Sequence, residues 1–566
     1  YQGYSAQDSV GDADVINGKS KVIHRFGFLV NDATSLPTLA IANGFGDKVG
    51  IYSTGGQPTV LSSDSGVIDL SDGVHVTYRT GDLADIAENQ DFSTSKVTGV
   101  ADAVARLQTQ APIRTTYATP PPERFTNNAY ADKPFPAEPM RMLAVARIYN
   151  VVRYFSPYTA LMHDDWDAAA LQAIRDERAA TDARSYVLGL LKFYAHLHDS
   201  HGSFPQGRVI RAEFGFGPPL DVRLLHGQVI VTHVLAGNAT MQRLRVGDLV
   251  DTVDGVAMQQ AMSLIEQYIC SSTPQAANSA ALRTYFEPSV FSGRKGTTIR
   301  IGFHHLGRRG SMTAVYVRDA YPVKTLQQRP KYLVLAGNVG YVDFDRLKPE
   351  EVDAMFAALR NTRAIIFDNR GYPRGAAWQI APRLTMATSI RLALFNTPYV
   401  IEPLGAQVGD GEPLPTYRQF YQMLGTIIGP KYLRPTVMLV DERAISQSEH
   451  SALFFRATGH TRFVGTPTQG ANGDVTSMAL PGGLTFSFSG EGVRWPDGRQ
   501  LQRVGIIPDV RVEPTASDIA TGNDVVLQRG LVEALRLSGA GRDQRDAALR
   551  QEAARERAAF TATQLP

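Results

Sequence analysis

The chain has 566 residues, with 57 Lys+Arg against 55 Asp+Glu, 20% charged and 43% hydrophobic residues. That is an ordinary globular composition and excludes a disordered tail protein, a collagen-like chain and a disulfide scaffold, since Cys270 is the single cysteine. No apolar run approaches the roughly 18 residues of a membrane-spanning helix, and a net charge of +2 without basic clusters argues against a nucleic-acid partner. The chain begins at Tyr1 rather than Met. A cleaved export signal and a cloning boundary both account for that; the first leads to the expectation of a periplasmic or secreted protein.

Residues 1–116 are rich in Gly, Ser, Thr and Asp, with short alternating apolar stretches such as Lys48–Tyr52 and Val74–Tyr78, and read as an irregular β-rich domain. Segment 117–139 holds Pro120, Pro121, Pro122, Pro134, Pro136 and Pro139, which predicts an extended linker. Val145, Ile148, Val152 and Phe155 then recur at steps of three and four, and Asp164–Ala179 and Ala183–His198 keep that period, so 140–212 is a helical unit ending in a polar loop, Asp199-Ser200-His201. Strands and turns return over 213–305: Leu220–Leu225, Gln228–Val234, a Gly237-Asn238-Ala239 turn, Leu244–Val250, the hairpin Asp254-Gly255, and a helix over Ala261–Tyr268. Segment 331–515 alternates strands (Val339–Phe344, Ala364–Phe367, Val437–Val440, Arg462–Gly465) with helices (Pro349–Arg360, Ser446–Ala457), an α/β pattern. In 516–566, Asp524–Ser538 and Arg542–Phe560 read as helices, the last a solvated one.

Three short features carry chemistry. Ser446 stands where a buried strand run meets a helix, so its hydroxyl lies beside free helix amides that favour developing negative charge. The arrangement resembles a nucleophile elbow without its usual spelling, yet Ser446 with Glu449 three residues on also spells a helix capping box. His201, in a polar loop, has the residue type of a general base, and equally that of an ordinary surface histidine. Gly371 leaves a strand end, Ile365–Arg370, where the missing Cβ lets its amide approach a ligand. His304 and His305 point to opposite faces of one strand and cannot share a metal, and no phosphate loop is spelled, so no cofactor or metal is expected.

Segment 213–305 resembles a bacterial PDZ domain, on Gly215-Phe216-Gly217 before a strand, the Gly237–Asp248 turn and the Val253-Asp254-Gly255 hairpin before a helix. The resemblance implies that an extended peptide adds as a strand, with the amides of Gly215, Phe216 and Gly217 receiving a chain-end carboxylate. Over residues 140–540 the chain resembles the C-terminal-processing serine peptidases, in their tricorn-core-like branch. The matching motifs are Trp166–Leu171, Leu197–His201, 365–371 (IIFDNRG), 446–449 (SQSE), 464–473 (VGTPTQGANG) and 505–510 (GIIPDV). That implies a multidomain α/β protein with a crotonase-like ββα peptidase core, a PDZ β domain, a helical unit at the front and the N-terminal β-rich domain.

Carried over by the resemblance, Ser446 is the nucleophile, His201 its base and Ser200 the neighbour bonded to that base. The amides of Gly371 and Gln447 form the oxyanion hole. The lysine of the family's other branch is replaced by Ala471. The acid that orients the histidine falls at Gln502, with Glu491, Asp497 and Asp199 as alternatives. His450, one turn beyond Ser446, is a rival base. The expected activity is hydrolysis of a peptide or protein substrate with PDZ-assisted binding; an ester substrate, or a non-catalytic homologue that binds a peptide or apolar ligand, stays open.

Overall fold

The computed structural model describes residues 26–30, 49–53, 63–70, 74–82, 95–109, 133–202, 207–234, 244–283, 288–320, 329–399, 416–427 and 429–564. The prolines at 120–122 and the 237–239 turn lie outside the described residues. The architecture is mixed α/β with several sheets, and the chain divides into two compact units, 1–126 with 400–416, and 127–399 with 417–566.

In the first unit, β1 (Phe26–Val30), β2 (Val49–Ser53) and β5 (Ser95–Lys96) form a parallel sheet, and β3 (Ser63–Leu70) pairs with β4 (Val74–Asp82) as an antiparallel hairpin. A helix over Val100–Thr109 interrupts the strand-rich reading of 1–116.

The second unit opens with helices Glu138–Phe155, Trp166–Ala179, Ala183–Ala195 and Arg208–Phe214. Pro139 sits in the first turn of the first helix rather than in a linker, where its missing amide donor costs nothing. Asp165 caps the second helix by accepting from Ala168 N, and Asp182 with Ser185 forms a capping box on the third. The predicted face packs as expected: Val145, Ile148 and Val152 are buried with Tyr186, Leu190 and Phe193. Leu480, Leu484, Phe486 and Phe488 share that cluster. They come from the antiparallel hairpin β19 (Val475–Leu480) and β20 (Leu484–Ser489), so one end of β20 is carried against the loop that follows the third helix.

An antiparallel sheet follows, in the order β11 (Met312–Val317), β10 (Thr298–His304), β8 (Leu249–Val253), β7 (Gln228–Val234) and β6 (Leu220–Leu225), with β9 (Val256–Ala257) against β8. β6 is its outer strand. Helices Met258–Glu266 and Pro274–Ala281 belong to this region.

The core sheet runs β12 (Tyr332–Leu335), β13 (Val339–Asp343), β14 (Ile365–Asp368), β17 (Thr436–Val440), β18 (Thr461–Gly465) and β22 (Val510–Arg511), all parallel neighbours except β12 with β13. Its strands are apolar on both faces because both are covered. Phe367, Met438 and Val440 pack with helices Val352–Leu359 and Gln447–Ala457, whereas Ile366, Val437 and Leu439 pack with helix Val525–Leu537. That last helix approaches so closely that a Cβ at Gly530 would stand 2.7 Å from Leu439 Cδ2. A smaller sheet, β16 (Thr416–Met423), β15 (Arg391–Tyr399) and β21 (Gly492–Arg494), completes the unit. The final helix, Arg542–Gln564, is largely exposed, as its charge suggested, and is anchored at Ala548, Glu552 and Glu556. Glu556 is 3% exposed and accepts from Arg329, Gln528 Nε2 and the Asp524 amide.

Candidate active site

β14 and β17 are adjacent and parallel, so the segments leaving their carboxyl ends, 369–372 and 441–446, emerge together. In open parallel sheets that edge is where ligands bind. β17 is buried along its whole length and ends at Val440; a turn braced by Asp441, which accepts from the Arg443 amide and guanidinium, leads to Ser446. Ser446 has φ 56° and ψ −115°. For a residue with a Cβ that conformation costs on the order of 1–3 kcal/mol and needs enforcement by its surroundings. The Ser446 amide donates to Ala471 O at 2.8 Å, and its carbonyl accepts from His450 N at 2.8 Å. Its side chain makes no capping bond. Glu449 does not turn back to the cap either: it is fully buried and accepts from Thr468 Oγ1, Gly470 N (2.6 Å) and Ala471 N (2.9 Å). The capping-box alternative therefore fails. Glu449 instead grips the loop whose Ala471 carbonyl holds Ser446. Burial pushes this carboxyl up to about 8, against the three donated bonds that favour its ionised form.

Gln447 follows the serine in sequence, and Gly371 lies on the neighbouring strand-end segment. Asn369 Nδ2 donates to Ser448 O at 2.8 Å and Ser448 Oγ donates to Gly371 O at 2.6 Å, which ties the two strand-end segments together. Neither the Gly371 nor the Gln447 amide donates to a described residue. Tyr372, with its amide donating to Asp345 Oδ1 at 2.9 Å, brings its hydroxyl to 3.5 Å from Ser446 Oγ. Arg370 is not beside them as a reactant: it pairs with Asp368 and Asp524 at 2.6–2.8 Å and locks the strand end.

His201 is 9% exposed, in the loop after helix Ala183–Ala195, and is no surface histidine. Its Nδ1 lies 2.8 Å from Ser489 Oγ at the end of β20, and its Nε2 is buried with no hydrogen-bond partner among the described residues. Burial lowers its pKa from the ordinary value, against the charge of Asp199. Ser200 does not hold the ring. It exchanges bonds with Ser272, each amide donating to the other's hydroxyl at 2.8 Å. Gln502 does not face the imidazole either. Its Nε2 donates to Asp199 Oδ1 at 3.1 Å and its Oε1 accepts from the Asn472 amide at 3.3 Å. Asn472 follows Ala471, so Gln502 joins the loop holding Ser446 to the loop holding His201.

Of the alternative acids, Asp199 belongs to this network, accepting from His201 N, Ser489 N and Ser489 Oγ. Asp497 pairs with Arg499 at 2.6 Å on the surface, and Glu491 accepts from Thr397 Oγ1 at 3.3 Å. The rival base His450 is buried, held down at about 4 by desolvation, and its Nε2 is 2.9 Å from Gln422 Oε1, so its ring nitrogen is engaged elsewhere. Ser489 is the residue that sequence reasoning missed. The alternation of Leu484, Phe486 and Phe488 with polar residues marks a strand, but nothing local marks its last serine.

The expected carboxylate cradle is overturned. The amides of Gly215, Phe216 and Gly217 already donate to Arg211 O, Gly293 O and Asp319 O at 3.0, 3.3 and 3.4 Å. They are not available to a chain end. His304 and His305 bond separate carboxylates, Asp251 and Asp248, each at 2.8 Å.

Residues 338–512 match the family model described as peptidase family S41. A carboxy-terminal-processing protease of Bartonella bacilliformis is 23% identical over 237 residues, covering 42% of this chain and 51% of that protein. The chain therefore spans about half the length of that curated relative. Among solved structures, mature CPAF matches with a TM-score of 0.56 at 14% identity, over 71% of this chain and 98% of its own. Mature CPAF complexed with lactacystin gives 0.57 at 13%, over 71% and 99%. These likenesses establish a shared fold, and among the described residues no helix is long and apolar enough to cross a membrane. The match to the peptidase family S41 model is confined to segment 338–512, which carries both Gly371 and Ser446.

Proposed function

We propose that the protein is a serine peptidase in which Ser446 attacks the scissile carbonyl. His201 Nε2 takes the Ser446 proton as the C–O bond forms, and the amides of Gly371 and Gln447 hold the oxyanion. The imidazolium then returns its proton to the leaving amine, and water releases the acyl group by the same steps in reverse. The observation that carries this reading is the backbone of Ser446. Ser446 stands at φ 56° with its amide on Ala471 O and its side chain free of a capping bond, and the Gly371 and Gln447 amides donate to no described residue. The buried Nε2 of His201, without a hydrogen-bond partner among the described residues, is the acceptor such chemistry needs.

A second part of the reading concerns substrate. β6, the outer strand of the PDZ-like segment, borders a cavity of about 830 Å³ that also includes Asn278, Ser279, Glu442, Arg443 and Pro467. Glu442 and Arg443 stand on the turn that delivers Ser446. An extended substrate segment added along β6 would satisfy its backbone on the strand and reach toward the nucleophile. Turnover of an unfolded protein and of a panel of small esters, by wild type and by Ser446→Ala and His201→Ala, tests the assignment. Peptide hydrolysis lost in both folded variants is expected; hydrolysis retained by Ser446→Ala overturns it.

A further inference from the structure

We propose that Ser489 is a positioning residue that fixes the tautomer of His201, relaying to the imidazole the hold of Asp199. Asp199 Oδ1 faces the His201 amide at 3.0 Å, Ser489 Oγ at 2.9 Å and Gln502 Nε2 at 3.1 Å, while Oδ2 faces the Ser489 amide at 2.6 Å. The three N–H groups can only donate, so the carboxylate acts as an acceptor throughout. The single Ser489 hydroxyl proton therefore points at Asp199. With that proton committed, Ser489 Oγ has only lone pairs to offer His201 Nδ1 at 2.8 Å, and Nδ1 must carry a hydrogen. In the neutral ring the other nitrogen is then bare. Nε2, buried and without a described partner, is left as the acceptor.

Gln502 completes the device without touching the ring. Its carbonyl is taken by the Asn472 amide, so its NH₂ faces Asp199 and fixes the carboxylate's direction. A neutral amide standing at the position where the resemblance expects an acid is thereby explained: the charge is supplied by Asp199, two residues before His201. Ser489 and Asp199 are both buried, at 0% and 4% exposure, so the relay is shielded from water that would otherwise offer Nδ1 another partner. When Nε2 accepts a proton, the new positive charge is met through Nδ1–H, Ser489 and the Asp199 carboxylate. Ser200, bonded to Ser272, takes no part.

The kinetic consequence rests on the peptidase reading; the tautomer does not, so the test reads both. Full-length protein labelled with ¹⁵N-histidine, with the His201 signals assigned by their loss in His201→Gln, reports the ring directly above pH 7. The wild type is expected to show a protonated Nδ1 and a bare Nε2; a protonated Nε2 overturns the proposal even if no Ser489 variant folds. In Ser489→Ala the ring should shift towards the Nε2–H form. The rate of fluorophosphonate labelling at Ser446 should then fall about 10²–10⁴-fold, the usual contribution of a general base. Ser489→Thr, which keeps the hydroxyl, should recover most of it. An unchanged tautomer in folded Ser489→Ala, or an unchanged labelling rate, overturns the relay. A wild type that shows the Nδ1–H ring but takes no label supports the relay and instead refutes the peptidase reading.

Discussion

Replacing Gly371 by alanine probes the proposed oxyanion hole with a displacement that the structure sets. A Cβ at this position would stand 2.7 Å from Asp345 Cγ, 2.8 Å from Oδ2 and 3.0 Å from Cβ. The comfortable distance between carbon atoms is about 3.5 Å, so the shortfall at Cγ is about 0.8 Å. Asp345 has little room to yield. Its side chain is short, and its Oδ1 accepts from the Tyr372 amide at 2.9 Å. Relief must come mainly from the 370–372 backbone, which carries the amide that the proposed mechanism assigns to the oxyanion hole. Misplacing a reacting or stabilising group by about 1 Å costs on the order of 10²-fold, and losing one oxyanion donor about 10²–10³-fold. The rate constant for labelling by a fluorophosphonate, whose phosphoryl oxygen occupies the same position, should therefore fall about 10²-fold in Gly371→Ala. A labelling rate within about threefold of wild type, in protein that keeps its thermal midpoint, would refute the placement of Gly371.

Glu449→Gln keeps the bonds from Thr468 and Gly470 but sets an NH₂ against the Ala471 amide, which should cost about 1–3 kcal/mol in denaturant unfolding of the core. It should also slow labelling of Ser446, because Ala471 O holds the serine's amide. His450 has its folded-state pKa at about 4 against an ordinary 6.5. The unfolded chain therefore binds a proton there that the native state does not. That stability is fully present above about pH 6.5 and is lost as pH falls towards 4, amounting to about 3 kcal/mol across the window. His450→Gln should flatten this part of the stability–pH curve; an unchanged slope contradicts the assignment. With His201 lowered below its ordinary value by burial, the acidic limb of the labelling rate should have its midpoint below pH 6.5 and vanish in no surface-histidine variant. Ser279→Trp should obstruct the cavity beside β6 and raise KM for an unfolded protein substrate about fivefold, roughly 1 kcal/mol, without altering labelling by a small probe.

The parts legible in the sequence are those specified locally. Strands such as Ile365–Asp368 and Thr436–Val440 read as continuous apolar runs because both faces of the sheet are covered. The position of Ser446 between such a run and a helix is legible in the same way, and so is the buried face of helix Glu138–Phe155 from its period. What escaped depends on partners distant in the chain. Asp199 and Ser489 are separated by 290 residues, and only the packing of the β19–β20 hairpin on the helical unit brings them together. A motif position can name Gln502 but cannot say which of its neighbours it faces. The Gly215–Gly217 segment failed for the same reason. Its glycines satisfy a pattern, yet their amides were taken by Arg211, Gly293 and Asp319, which no local spacing announces. Burial also excludes the surface alternative for His201.

The central claim is that Ser446 is an activated nucleophile. Intact mass of the full chain after exposure to a fluorophosphonate, beside Ser446→Ala, measures that directly. The account predicts a single covalent adduct at neutral to mildly alkaline pH that disappears in the variant. Unmodified wild-type protein, or an adduct that persists in Ser446→Ala, would contradict it.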